Sequence, residues 1–185
     1  MDQEKSAVWL DDETILFPSL RDEALKKSTE KGERWTVYYA ININGGEAQE
    51  FMRIPASVGT LIPLGNEKFL LSAKQNNMGI NLHDYEGAEK AAKEKELKHN
   101  KDYEVLTEIP FWSNGMGFTN GQRNRLYIYD KSTATMTAIT GEWENARYCS
   151  NKDGKILFIN HEFIGKQGRT GGLYEYDMAS GEVST

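Results

Sequence analysis

Leu126-Tyr127-Ile128-Tyr129-Asp130 and Leu173-Tyr174-Glu175-Tyr176-Asp177 spell one pattern, Leu-Tyr-x-Tyr-Asp, 47 residues apart. A looser copy, Tyr38-Tyr39-Ala40-Ile41-Asn42, stands earlier, and Gly46-Glu47 follows it as Gly181-Glu182 follows Asp177. Each copy alternates over a short run and then meets a turn: Asn44-Gly45-Gly46, Ser132-Thr133-Ala134 or Ala179-Ser180-Gly181. Alternation ending in turn residues predicts a strand entering a hairpin.

Working outward, a second element precedes each copy. Ile15-Leu16-Phe17, Phe69-Leu70-Leu71 and Ile156-Leu157-Phe158 follow the turns Asp11-Asp12-Glu13, Gly65-Asn66-Glu67 and Asn151-Lys152-Asp153-Gly154. Ahead of those turns lie Val8-Trp9-Leu10, Thr60-Leu61-Ile62 and Tyr148-Cys149; after the tyrosine strands lie Gln49–Ile54, Met136–Ile139 and Val183-Ser184-Thr185. Four short strands recurring at a period of about 40–50 residues are the mark of propeller blades. A β-sandwich is the competing architecture, but two separate elements recurring in the same order favour the propeller. The expected fold is all-β: an incomplete β-propeller of about three four-stranded blades, approximately residues 1–56, 57–140 and 141–185. Since propellers close with about four to eight blades, residues 1–185 are expected to be a fragment of a larger propeller domain.

Two excursions interrupt the repeat. Ser19–Arg34 is dense in charge, and residues 74–110 contain Gly87–Lys98, rich in strong helix formers. The second predicts one helical insertion near residues 84–99, with Glu89/Lys93 and Glu94/Lys98 at the favourable i,i+4 spacing. Its apolar stripe of Ala88, Ala91, Ala92 and Leu97 is thin, so the helix is expected to be solvated on the propeller rim. It reads either as a tolerated surface insertion or as a lid or docking element.

The composition agrees with strands. Nine tyrosines and four tryptophans lift the aromatic share to 11%, and aromatics suit pleated, half-buried surfaces. A formal charge of −6 argues against a nucleic-acid binder, which needs a basic face. Apolar runs such as Ile156–Ile159 are too short to cross a membrane as a helix. The start Met1-Asp2-Gln3-Glu4-Lys5 lacks a secretory pattern, and the one cysteine, Cys149, allows no internal disulfide. The expectation is a cytoplasmic protein without nucleic-acid or membrane partners. Cys149 itself is expected to be a small buried hydrophobe in a strand.

No residue is assigned a catalytic, cofactor-binding or metal-ligating role. Gly115, Gly117 and Gly121 lack the strand–helix context of a dinucleotide fingerprint; they read as a bend or bulge in an inner strand beside Phe111 and Trp112. Gly165–Gly172 lacks Walker spacing and reads as a hairpin loop. His83, His99 and His161 share no metal spacing. A Gly-x-Ser-x-Gly elbow is absent from the sequence, so neither a triad nor a cofactor is expected here.

Three stretches together carry a resemblance: Trp9–Phe17, Tyr39–Ala48 and Ile109-Pro110-Phe111-Trp112-Ser113-Asn114-Gly115-Met116-Gly117-Phe118. They resemble the propeller of bacterial serine peptidases of the prolyl oligopeptidase family, above all its acylaminoacyl-peptidase-like and dipeptidyl-peptidase-like members. That resemblance implies a hydrolase in which the propeller caps a C-terminal α/β-hydrolase domain of the same polypeptide. The hydrolase domain holds a Ser-Asp-His triad for short peptides, and the propeller gates their entry. This chain would then be inactive alone. The alternative is a non-enzymatic propeller serving as a protein-interaction scaffold.

Overall fold

In the computed structural model, residues 6–168 and 170–185 are described; the N-terminal reading of Met1–Lys5 lies outside them. The strands are β1 (Val8–Trp9), β2 (Thr14–Pro18), β3 (Thr36–Asn42), β4 (Gln49–Ile54), β5 (Ser57–Gly65), β6 (Lys68–Asn76), β7 (Trp112–Ser113) and β8 (Gly117–Phe118). They continue as β9 (Gln122–Asp130), β10 (Thr135–Ala138), β11 (Glu144–Lys152), β12 (Lys155–Ile164), β13 (Lys166–Gln167), β14 (Gly172–Asp177) and β15 (Val183–Ser184). Three antiparallel meanders result, β1-β2-β3-β4, β5-β6-β9-β10 and β11-β12-β14-β15. These are three consecutive four-stranded blades.

Side-chain alternation explains how they stack. On β6, Phe69, Leu71 and Ala73 join Leu16, Tyr38 and Ile54 of the first blade, while Leu70 joins Ile156 and Phe158 of the third. Strand β6 is therefore buried on both faces, from Phe69 to Ala73 without a break, and its one polar residue there is the small Ser72. The tyrosine motif obeys the same rule. Tyr127 and Tyr129 face the first blade, and Tyr174 and Tyr176 face the second. Its final residue locks the hairpin that follows: Asp130 Oδ1 accepts from Ser132 N at 3.0 Å, Asp177 Oδ1 from Ala179 N at 2.8 Å, and Asn42 Oδ1 from Asn44 N at 2.8 Å. The repeat is thus two pieces of physics, a blade-facing pair of rings and a side-chain-capped turn.

The expected helical insertion is α2 (Gly87–His99), with no buried residue. It does not make the anticipated pairing of Glu94 with Lys98. Glu94 reaches Lys31 at 3.4 Å, Lys93 pairs with Glu96 at 2.9 Å, and Lys90 pairs with Glu33. A helix not anticipated from the sequence, α1 (Glu23–Glu30), fills the charged Ser19–Arg34 excursion. Asp22 caps it, accepting from Ala24 N at 2.8 Å and Leu25 N at 3.3 Å. Leu20 and Leu25 pack on Phe17, Val37 and Tyr39, and the Arg21 guanidinium lies 4.4 Å from the Tyr39 ring centroid. So α1 covers the face of the first blade that corresponds to the tyrosine faces of the other two. Near the end of this excursion Gly32 takes φ +109°, a conformation that favours glycine, and a Cβ there would stand 3.0 Å from Leu97 Cδ1 of α2.

Candidate functional site

In a four-stranded meander the first and third connections lie at one end of the sheet, and the second lies at the other. Here the first and third are short, the longest of them being residues 43–48. Every long connection is a second one: 19–35, 77–121 and 165–171. All the elaboration of this chain therefore gathers at one end of the blades, and loops on a rigid scaffold are where binding residues concentrate.

The root of the long insertion is fixed by Glu108 and Arg123, whose side chains are fully buried. Arg123 Nη1 donates to Glu108 Oε2 at 3.2 Å, and Nη2 pairs with Glu108 Oε1 and the Phe163 carbonyl. Its guanidinium lies 4.0 Å from the Phe163 ring centroid and 5.4 Å from that of Trp143. Glu108 Oε2 also accepts from Gly121 N at 2.8 Å. Asn120 Oδ1 accepts from the backbone of Thr107 (2.9 Å) and Glu108 (3.1 Å). Gly121, at φ +70°, has no room for a Cβ, which would lie 2.7 Å from Asn76 Oδ1. The third blade completes the anchorage: Ile109 N donates to Gly165 O at 2.8 Å, and Gln167 N donates to Ile109 O at 2.9 Å.

Held on this root, β7 and β8 form a separate hairpin. The expectation that Gly115, Gly117 and Gly121 make a bend or bulge in an inner strand beside Phe111 and Trp112 is corrected: the segment leaves the blade and pairs with itself, turning through Gly115 and Gly117 at positive φ. Trp112 and Phe118 meet edge to face with centroids 5.1 Å apart. Trp112 is 52% exposed, and Ile109, Phe111 and Met116 are exposed beside it. An apolar patch of this kind marks a contact surface. Beneath it lies a cleft of about 300 Å³, lined by Lys74, Trp112, Met116, Gln122, Asn124 and Asn145 among others. Its amides are partly used in joining blades: Asn124 N donates to Asn145 Oδ1 at 2.9 Å, and Asn124 Nδ2 to Ala146 O at 2.7 Å. Asn124 Oδ1 and Asn145 Nδ2 have no partner among the described residues, which leaves an acceptor oxygen and an amide NH2 group for a ligand.

A larger cleft, of about 1020 Å³, opens between the C-terminal ends of α1 and α2. A small cavity of about 70 Å³ lies beside the larger cleft, and Gly32, Arg34, Asn76 and Ile80 border both.

The residues weighed from sequence are dispersed. His83 Nε2 lies 2.9 Å from Arg34 O and its ring meets Trp35; His99 ends α2, and His161 Nε2 lies 3.2 Å from Gln167 Nε2 on β12 and β13. Among the described residues no three His, Cys, Asp or Glu side chains group as metal ligands, and no helix is long and apolar enough to cross a membrane. The Gly165–Gly172 segment does turn back, with Lys166–Gln167 pairing on β12; its Arg169 lies outside the described residues. Cys149 corrects an expectation. It is the extra residue of a bulge between Tyr148 and Ser150, so its thiol is exposed rather than buried.

No protein-family model matches the chain, and no curated protein matches its sequence. Solved structures do match. The acylaminoacyl peptidase of Pyrococcus horikoshii, in an orthorhombic crystal form, superposes on 100% of this chain and 25% of its own, with a TM-score of 0.58 and 11% identity. An acylaminoacyl peptidase in complex with Z-Gly-Gly-Phe-chloromethyl ketone covers 93% of this chain and 23% of its own, with a TM-score of 0.53 and 11% identity. The chain thus spans about a quarter of the length of the peptidase chains it matches. Likeness at this identity establishes the fold, that of propeller blades, and leaves membership of the peptidase family unestablished.

Proposed function

We propose that this chain is a peptide-binding portion of a propeller that gates substrate entry to a serine peptidase domain of the same polypeptide, acting on short peptides in the cytoplasm. The observation that carries the reading is the cleft under the Trp112–Phe118 hairpin, with unpartnered amide groups beside an exposed aromatic wall. A peptide backbone offers alternating donors and acceptors, which amide side chains match without bringing in charge. An aromatic wall takes an apolar side chain. The likeness to acylaminoacyl peptidase blades supports the choice of a peptidase, and the chemistry of cleavage would reside wholly in the other domain.

Two measurements test this. The coding sequence beyond Thr185 should specify a hydrolase domain with a Gly-x-Ser-x-Gly elbow; a stop codon in its place removes the peptidase half of the reading. Short peptides ending in an apolar residue should bind the chain and quench Trp112 fluorescence, and Trp112→Ala should weaken that binding roughly tenfold, the scale of losing one buried aromatic anchor. The exposed patch of Ile109, Phe111 and Met116 equally fits a non-enzymatic scaffold. That reading gains if folded partners bind through the hairpin and short peptides do not.

A further inference from the structure

Strand register places a cation in the row of free amides beneath the Trp112 hairpin. Lys74 of β6 stands directly across the ladder from Asn124 of β9, so the two side chains share one face of the second blade, with Cβ atoms about 5 Å apart. That face is the one turned to the third blade, since Leu70 and Leu126 occupy it further along and pack with Ile156 and Phe158. Asn145 extends the row by accepting from Asn124 N. The hairpin closes over it, with Met116 Sδ 3.9 Å from Lys74 Nζ. Lys74 makes no ion pair among the described residues, and no carboxylate stands among the described residues that line this cleft. The other cation there, Arg123, is fully buried and already spent on Glu108 and on the carbonyls of Gln122 and Phe163. The cleft therefore carries one uncompensated charge, and it is positive.

That charge decides which part of a peptide the cleft suits. An N-terminal ammonium would meet a like charge with no acid to offset it. An internal apolar residue would leave Lys74 unanswered. An internal aspartate or glutamate would answer Lys74 but offer nothing apolar to the Trp112 ring. A C-terminal apolar residue brings one N–H, one carboxylate and one apolar side chain from a single Cα, and the cleft holds a counterpart for each. The free Asn124 Oδ1 can accept the N–H, Lys74 Nζ and the free Asn145 amide can donate to the carboxylate, and Trp112 can take the side chain. Charge-assisted hydrogen bonds to a carboxylate are also stronger than the neutral ones an amide would make there.

We infer that Lys74 is the specificity-determining residue of this cleft and reads the free C-terminal carboxylate of a peptide that ends in an apolar residue. This rests on the peptide-binding reading above and adds to it a substrate class, peptides with an unblocked C-terminus, and a direction of entry. The test uses the 185-residue chain and two short peptides ending in leucine, labelled with fluorescein at the N-terminus and identical except that one ends in a carboxylate and the other in an amide. Anisotropy titrations should show the acid binding roughly fivefold more tightly at low salt, the scale of one partly exposed charge pair, with the advantage fading as salt screens it. Lys74→Gln should abolish the advantage by weakening the acid alone; unchanged binding of the amide shows that the variant is folded. A third peptide, amidated after a final glutamate, should bind no better than the leucine amide. Equal affinity for acid and amide, or a preference for the acid that survives Lys74→Gln, overturns the role of Lys74 while leaving peptide binding intact. A glutamate amide that binds as well as the leucine acid overturns the assignment to the chain terminus. Binding of none of the three overturns the peptide-binding reading itself, and this inference with it.

Discussion

Tyr38 shows how a blade joint is made at a single position. Its ring, 2% exposed, packs with Leu16, Leu61 and Phe69 between the first two blades. Burial alone pushes its phenol up to about 12 from the ordinary value of 10. The neutral phenol is therefore favoured in the folded chain. Its contribution is fully present below pH 10 and is lost as pH rises toward 12, because the unfolded chain ionises first. Tyr127 and Tyr129 shift the same way, also through burial, so the chain as a whole should weaken across that window. Tyr38→Phe removes one contribution. Urea unfolding should show the variant gaining on the parent by about 2–3 kcal/mol between pH 9 and pH 12. Parallel pH curves for the two proteins would contradict this account. The tyrosine motif was legible in the sequence as a repeat; which blade each ring faces was not, since that depends on what stands opposite.

Among the elements, the long insertion contrasts most with its sequence. Gly87–Lys98 announced a helix through its helix formers, and α2 is there. The device holding that insertion to the blades was invisible, because Glu108 and Arg123 form no local pattern and gain meaning only when both are sealed from water beside Phe163. Removing one partner strands a buried charge. Arg123→Met alone should cost about 3–5 kcal/mol in urea unfolding, whereas Glu108→Leu with Arg123→Met should recover much of that loss. A double variant no better than the single one would mean that the hydrogen bonds to Gly121 and Phe163 matter more than the pairing of charges. Helix α1 was missed for a different reason. Asp22 ahead of Glu23-Ala24-Leu25-Lys26 is an N-cap signal, but the density of charge masked it, and the apolar contacts of Leu20 and Leu25 lie on another element.

At the scale of the molecule, the three blades leave two unequal flanks. On the first blade, α1 covers Phe17, Val37 and Tyr39. On the third, the face turned away from the second blade carries Leu157 and Ile159, half-buried, with Leu173 59% exposed. Strand faces and edges of this kind invite pairing with other chains. The chain by itself should self-associate with rising concentration in sedimentation velocity, and Leu173→Lys should reduce that association. A strictly monomeric parent would show that this face needs no cover.

The four-strand unit, the order of strands within each blade and the places of the two insertions follow from the sequence alone, because alternation and turn chemistry are local and repeat with the unit. The stacking of blades, the gathering of every long connection at one end and the two clefts were decided by tertiary structure. Those features arise where residues far apart in the chain are buried against one another, and burial has no local signature.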